Sequence, residues 1–205
     1  MKKIIIGKCM NLIKKYHDYD NTKLAEIEYG LTAIYLTVSK LIVITLIAII
    51  LGILKEMLIF LIIYNIIRMP SFGIHATKSW ICLVVSTILF IGLPIFNLLV
   101  IIPVQVKITI GLIFTILMFK NSPADTKKKP IVHPKRRLTY KIISTVLAIL
   151  YVLLSIIITN NFISNCFIMG LVLQNAMISP LTYKIFKQPY NNYKTFLKLH
   201  PDFLN

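Results

Sequence analysis

Long apolar runs separated by short basic blocks most restrict what this chain can fold into. Trp80 to Ile102, Ile108 to Phe119, Ile142 to Thr159 and Cys166 to Tyr183 contain no charged side chain. Leu41 to Leu54 and Met57 to Ile67 add two more such runs. A helix crossing a bilayer needs roughly 20 mostly apolar residues, and about 10–14 serve a re-entrant or partly buried segment. Six such segments, spread from Leu41 to Tyr183 of the 205 residues, leave no room for a separate soluble domain. Hydrophobic residues make up 57% of the chain, above the roughly 45–50% of soluble domains. The pattern predicts an all-α integral membrane protein with about six transmembrane helices, residues 1–205 forming one polytopic domain.

The net charge of +16 is placed as cytoplasmic loops place it, in blocks between the spans. Such blocks attract anionic lipid head groups, so the bilayer is an expected partner. Nucleic acid is not, because the aromatic-basic platform that single strands require is missing. Residues 1–22 form the N-terminal segment, where Ile5, Cys9, Leu12 and Tyr16 at helical spacing predict a basic amphipathic helix on the membrane surface. Asn21 or Thr22 is expected to cap the next helix, starting near Lys23. Residues 120–141 read as a hydrophilic loop with eight basic residues, and residues 184–205 as a basic tail. Because basic loops stay inside, both termini and that loop are expected in the cytoplasm, with Lys55-Glu56, Lys107 and Asn160-Asn161 outside. Pro103 to Lys107 reads as a short turn, Pro94 as a kink and Asn97 as a buried polar group. No cleavable signal peptide is expected at the start, which lacks an apolar core with a small-residue cleavage site.

The seven acidic residues all lie outside the apolar runs. Membrane carboxylate dyads, proton relays and acidic ion rings need buried acids, so those mechanisms find no support. His17, His75, His133 and His200 lack zinc-ligand spacing with one another or with a cysteine, and no metal or cofactor is expected. Cys9, Cys82 and Cys166, odd in number and widely spaced, do not form a disulfide framework.

His75 and Cys82 stand apart from the rest. They flank the start of an apolar helix, beside Arg68-Met69-Pro70-Ser71-Phe72-Gly73-Ile74, where Pro70 and Gly73 predict non-helical backbone at membrane depth. An imidazole within reach of a cysteine generates the thiolate that attacks a carbonyl. On an unbroken helix a spacing of seven would separate the two by roughly 10 Å along the axis. Proton transfer needs about 3 Å. The helix is therefore expected to begin only near Thr77 or Ser79, with His75 folded back from the Gly73 loop. Cys82 would then sit near the helix start, where the dipole, Lys78 and Arg68 favour the thiolate and backbone N–H groups can hold an oxyanion. An unbroken helix from Arg68 through Cys82 would contradict this. The plain alternative makes Cys82 a small apolar filler and His75 an interfacial anchor. Cys166 reads as a filler, Cys9 as a packing residue, and His133 and His200 as solvated.

Three places resemble the accessory gene regulator B (AgrB-type) family of Gram-positive quorum sensing. Arg68…Ser71-Phe72-Gly73-Ile74-His75…Cys82 looks like the family's Arg-Ser-Gly-Gly-x-His…Cys segment, with Phe72 where the first glycine commonly stands. Ser122-Pro123-Ala124-Asp125-Thr126-Lys127-Lys128-Lys129-Pro130-Ile131 is similar to its proline-rich basic loop, and Glu28-Tyr29-Gly30-Leu31 matches more weakly. The resemblance implies a cysteine endopeptidase of the cell membrane that cleaves the C-terminal part of an amphipathic, AgrD-like signal propeptide and promotes its cyclisation to a thiolactone or lactone. It implies Cys82 as nucleophile, His75 as base, and a homodimer. Arg68, Ser71, Gly73, Lys78, Glu28, Lys127, Lys128 and Lys129 are the candidates for binding or positioning substrate. Two other readings need no His75/Cys82 pair. One is a small transporter using Pro94, Asn97, Asn165, Gln174 and Asn175 as midplane groups. The other is a membrane-embedded assembly or regulatory protein.

Overall fold

The computed structural model describes residues 2–17, 19–74, 79–126 and 130–199, with the side chains of Lys2 and Ser79 excepted. All regular structure among them is helical: α1 Lys2–Tyr16, α2 Asn21–Ile50, α3 Leu54–Ser71, α4 Ser79–Leu99, α5 Val104–Asn121, α6 Pro134–Ile157, α7 Asn161–Ile178, α8 Pro180–Ile185 and α9 Asn192–Leu199. Five of these, α2, α4, α5, α6 and α7, are long and apolar enough to cross a bilayer. The eighteen-residue α3 carries Lys55, Glu56 and Arg68 and is the sixth helix of the expected set. The chain is thus an all-α integral membrane protein, and the count of six is approximate.

Residues 1–50 and residues 51–205 form two compact units. In the first, α1 packs on α2. Ile6 and Met10 are its buried residues, whereas Ile5, Leu12 and Tyr16 of the expected apolar face are exposed. α2 spans 30 residues, a length of about 45 Å. Its cap is Asp20, whose carboxylate accepts the Lys23 N–H at 3.0 Å, rather than Asn21 or Thr22. A carboxylate one residue earlier reaches the orphan N–H of the third helical position better than either polar neighbour.

The second unit is built around α7, which packs on α3, α4, α5 and α6. Its span is 56% buried, against 17% for α4 and for α5, so α7 is the central helix. Phe60, Ile63 and Ile67 of α3, Met118 of α5, Ala148 and Tyr151 of α6, and Leu171 and Ile178 of α7 form the core. At Gly111 an added Cβ would stand 2.6 Å from a Val152 methyl, so α5 and α6 approach as only a side chain of hydrogen allows. Ile88 and Ile116 are 64% and 67% exposed, which suits a surface solvated by lipid.

Several boundaries differ from those read from the apolar runs. α3 continues through Pro70 to Ser71, because a proline in the last turn forfeits only one helical hydrogen bond. α5 starts at Val104, so Lys107 lies inside a helix rather than in a turn. Its ammonium donates to Ser164 Oγ at 2.6 Å and is buried. α5 and α6 also extend into the basic stretch 120–141 from both ends, leaving residues 122–133 between them. Asn97 is buried as expected. It donates to Cys166 Sγ at 3.4 Å, while Asn165 donates to the Val100 carbonyl at 2.6 Å.

Candidate active site

The helix is not continuous from Arg68 to Cys82. α3 ends at Ser71, and Phe72 and Gly73 both take positive φ, +59° and +122°. A bulky residue rarely adopts such a conformation, so its surroundings must hold it there. Phe72 N donates to the Arg68 carbonyl at 2.9 Å, Gly73 N to the Ala124 carbonyl at 3.1 Å, and Ile74 N to the Met177 carbonyl at 3.2 Å. Gln174 Nε2 donates to the Phe72 carbonyl at 2.7 Å, and Arg68 Nη2 donates to the Ile74 carbonyl at 3.2 Å. Only glycine suits position 73, since a Cβ would also stand 3.2 Å from the Met177 carbonyl oxygen.

Ser122 to Asp125 supplies the other wall. Its four residues are buried, Ala124 N donates to the Ser71 carbonyl at 3.0 Å, and Phe72 and Ala124 form a parallel bridge. The segment is anchored in turn. The Tyr193 N–H donates to Asp125 Oδ2 at 2.7 Å, the Tyr183 hydroxyl donates to the Asp125 carbonyl at 2.9 Å, and Arg137 lies 4.0 Å from the carboxylate. The Arg137 guanidinium also stacks 3.5 Å from the Tyr193 ring centroid. Burial raises the Asp125 pKa above the ordinary carboxylate value, opposed by the Tyr193 N–H and the Arg137 charge.

Cys82 stands in the first turn of α4, half-buried, with its sulfur 4.0 Å from Ser86 Oγ. Arg68 is occupied with the Tyr64 hydroxyl, at 2.7 Å, and with the Ile74 carbonyl. The Ser71 hydroxyl is buried, donates to the Ile67 carbonyl at 2.5 Å and accepts from Gln174 Nε2 at 2.7 Å. Glu28 is exposed on α2, in the first unit. His75, Lys78, Lys127, Lys128 and Lys129 lie outside the described residues. Among the described residues no three His, Cys, Asp or Glu side chains gather as metal ligands do.

Two members of this assembly escape a reading by composition. Gln174 reads as a midplane polar residue, yet it holds the turn after α3. Asp125 reads as one acid in a solvated basic loop, yet it is buried. The sequence signal for Asp125 is its Pro-Ala-Asp context, a short island without basic residues in an otherwise basic stretch.

The arrangement resembles known proteins along most of its length. The family described as accessory gene regulator B matches residues 6–178. A protein named AgrB-like in Clostridium acetobutylicum is 26% identical over 184 residues, covering 90% of this chain and 88% of the relative. One of the same name in Listeria monocytogenes is 30% identical over 174 residues, 83% of this chain and 84% of the relative. Accessory gene regulator protein B of Staphylococcus aureus is 32% identical over 176 residues, 83% of this chain and 90% of the relative. No solved structure matches the chain. With matches of this extent, the chain belongs to the accessory gene regulator B family.

Proposed function

We propose that the chain is a membrane-embedded cysteine endopeptidase of a quorum-sensing system, cleaving the C-terminal part of an amphipathic signal propeptide and promoting its cyclisation. The observation that carries this reading is the place of Cys82, in the first turn of α4 after the non-helical stretch from Phe72 to Ile74. Family membership supports a role in the accessory gene regulator system. His75, one residue beyond that stretch, takes the Cys82 proton. The thiolate adds to the scissile carbonyl, and the C–N bond breaks as the imidazolium protonates the leaving amine. The acyl group is left on Cys82 as a thioester. A Cys or Ser side chain of the propeptide then attacks that carbonyl, gives its proton to His75 and expels the Cys82 thiolate. The product is a thiolactone or lactone ring. A thioester conserves acyl reactivity, so ring closure needs only that water be kept away.

In this reading Arg68 and Ser71 fix the turn, Gly73 gives it its backbone geometry and Lys78 favours the thiolate. Lys127, Lys128 and Lys129 engage acidic residues of the propeptide, and Glu28 orients a partner group. The protein acts as a homodimer with both termini in the cytoplasm. A transporter that uses its buried amides as midplane sites is less well supported. Gln174, Asn97 and Asn165 are buried, and each donates to a neighbouring helix or the loop after one.

The test is cleavage by the protein in vesicles of synthetic amphipathic peptides, each with an internal Cys or Ser. Wild type is expected to release a C-terminal fragment, and Cys82→Ala and His75→Ala to release none. Undiminished cleavage by Cys82→Ala rejects the mechanism.

A further inference from the structure

Five of the six backbone N–H and C=O groups of Phe72, Gly73 and Ile74 have identified partners, and only two of those partners are side chains. Arg68 belongs to α3 itself. Gln174 comes from the central helix, 102 residues along the chain from Phe72. It is fully buried and uses both amide hydrogens, one to Ser71 Oγ and one to the Phe72 carbonyl, each at 2.7 Å. The direction of these bonds is fixed. The single Ser71 proton goes to the Ile67 carbonyl, so the Ser71 oxygen must accept. A carbonyl always accepts. The position therefore calls for one group with two donors, which a primary amide supplies and a carboxylate or thioether does not.

We propose that Gln174 is a positioning residue for the Cys82/His75 centre, holding the positive-φ turn at Phe72 so that the chain leaves it towards His75 in the reactive direction. This rests on the peptidase reading. Gln174 touches neither the thiol nor the substrate. It acts through Phe72 and Ser71, which flank the only helix break between Arg68 and Cys82 among the described residues. Loss of its donors removes the hydrogen bonds that tie the Phe72 carbonyl and Ser71 Oγ to the central helix. An error of about 1 Å in a reacting group costs on the order of 100-fold in rate.

The experiment compares wild type, Gln174→Met and Gln174→Glu as full-length protein in vesicles, using a peptide that wild type cleaves. Both variants preserve the length of the side chain, and both lack its two donors at neutral pH. The expected result is a kcat lower by about 10- to 100-fold with KM within about threefold. Alkylation at Cys82, mapped by mass spectrometry, should reach the wild-type extent at a lower rate. Wild-type kcat in Gln174→Met overturns the proposal. So does an unchanged alkylation rate, or a loss fully matched by fewer alkylatable Cys82 sites. Wild-type-level cleavage by Cys82→Ala instead overturns the peptidase reading and this proposal with it, so the two failures are told apart.

Discussion

The Tyr193 backbone N–H donates to the Asp125 carboxylate at 2.7 Å, tying the chain beyond α8 to the segment that flanks Ser71 and Gly73. Hydrogen bonds to a charged group contribute about 1.5–3 kcal/mol. Asp125→Ala is expected to lower unfolding stability in detergent by about that much, and to reduce cleavage because the wall against Gly73 loosens. Unchanged stability and activity would contradict the anchoring role.

The same carboxyl gives a pH dependence of defined sign. Its folded pKa is raised, with burial the largest cause. A raised folded pKa means that folding favours the protonated form. The resulting stability is fully present below the unfolded value of about 3.9 and is lost as pH rises through the folded value. Asp125→Asn cannot ionise. The stability of wild type relative to that variant should therefore fall as pH climbs from below the ordinary carboxylate value to above the raised one. Paired melting curves in detergent check this, and a difference that rises with pH would contradict it.

Phe72 stands where relatives are expected to carry glycine, in a conformation of φ +59°. Backbone strain of this kind costs roughly 1–3 kcal/mol. The ring meets Tyr140 edge-on at 5.0 Å between centroids, an arrangement contributing about 0.5–1.5 kcal/mol. The two effects nearly cancel, so Phe72→Gly is expected to retain cleavage and stability close to wild type. Gly73→Ala, forced to φ +122° with its Cβ against the Met177 carbonyl, should lose both. Equal effects of the two substitutions in one cleavage assay would contradict this account.

Lys107 is buried, with its ammonium on Ser164. Lys107→Met removes a buried charge while keeping the stem, and is expected to be neutral or stabilising. Ser164→Ala keeps the charge and removes its partner, at a cost of about 1.5–3 kcal/mol. Melting temperatures in detergent separate the two, and the reverse order would contradict the assignment.

The helices were legible because each apolar run can be solvated only by lipid or by another helix. Their ends were less so. A charge such as Lys107 looks like a turn until Ser164, 57 residues away, supplies its partner. The break near Gly73 followed from Pro70, Gly73 and the geometric demand of a His/Cys pair. The rest of the site depends on partners far along the chain. Ser122 to Asp125 reads as solvated because its neighbours are lysines, and its burial is fixed by Ser71, Gly73 and Tyr193. Gln174 has no local feature that distinguishes it from Asn175. Only its distance to Phe72 does.

The most direct test of the central claim is the intact mass of the reconstituted protein, quenched in acid during turnover of a cleavable peptide. The account predicts an adduct equal to the N-terminal acyl fragment, mapped to Cys82, lost on hydroxylamine treatment and missing from Cys82→Ala. Cleavage at wild-type rate with no adduct on Cys82, and with Cys82→Ala fully active, would contradict it.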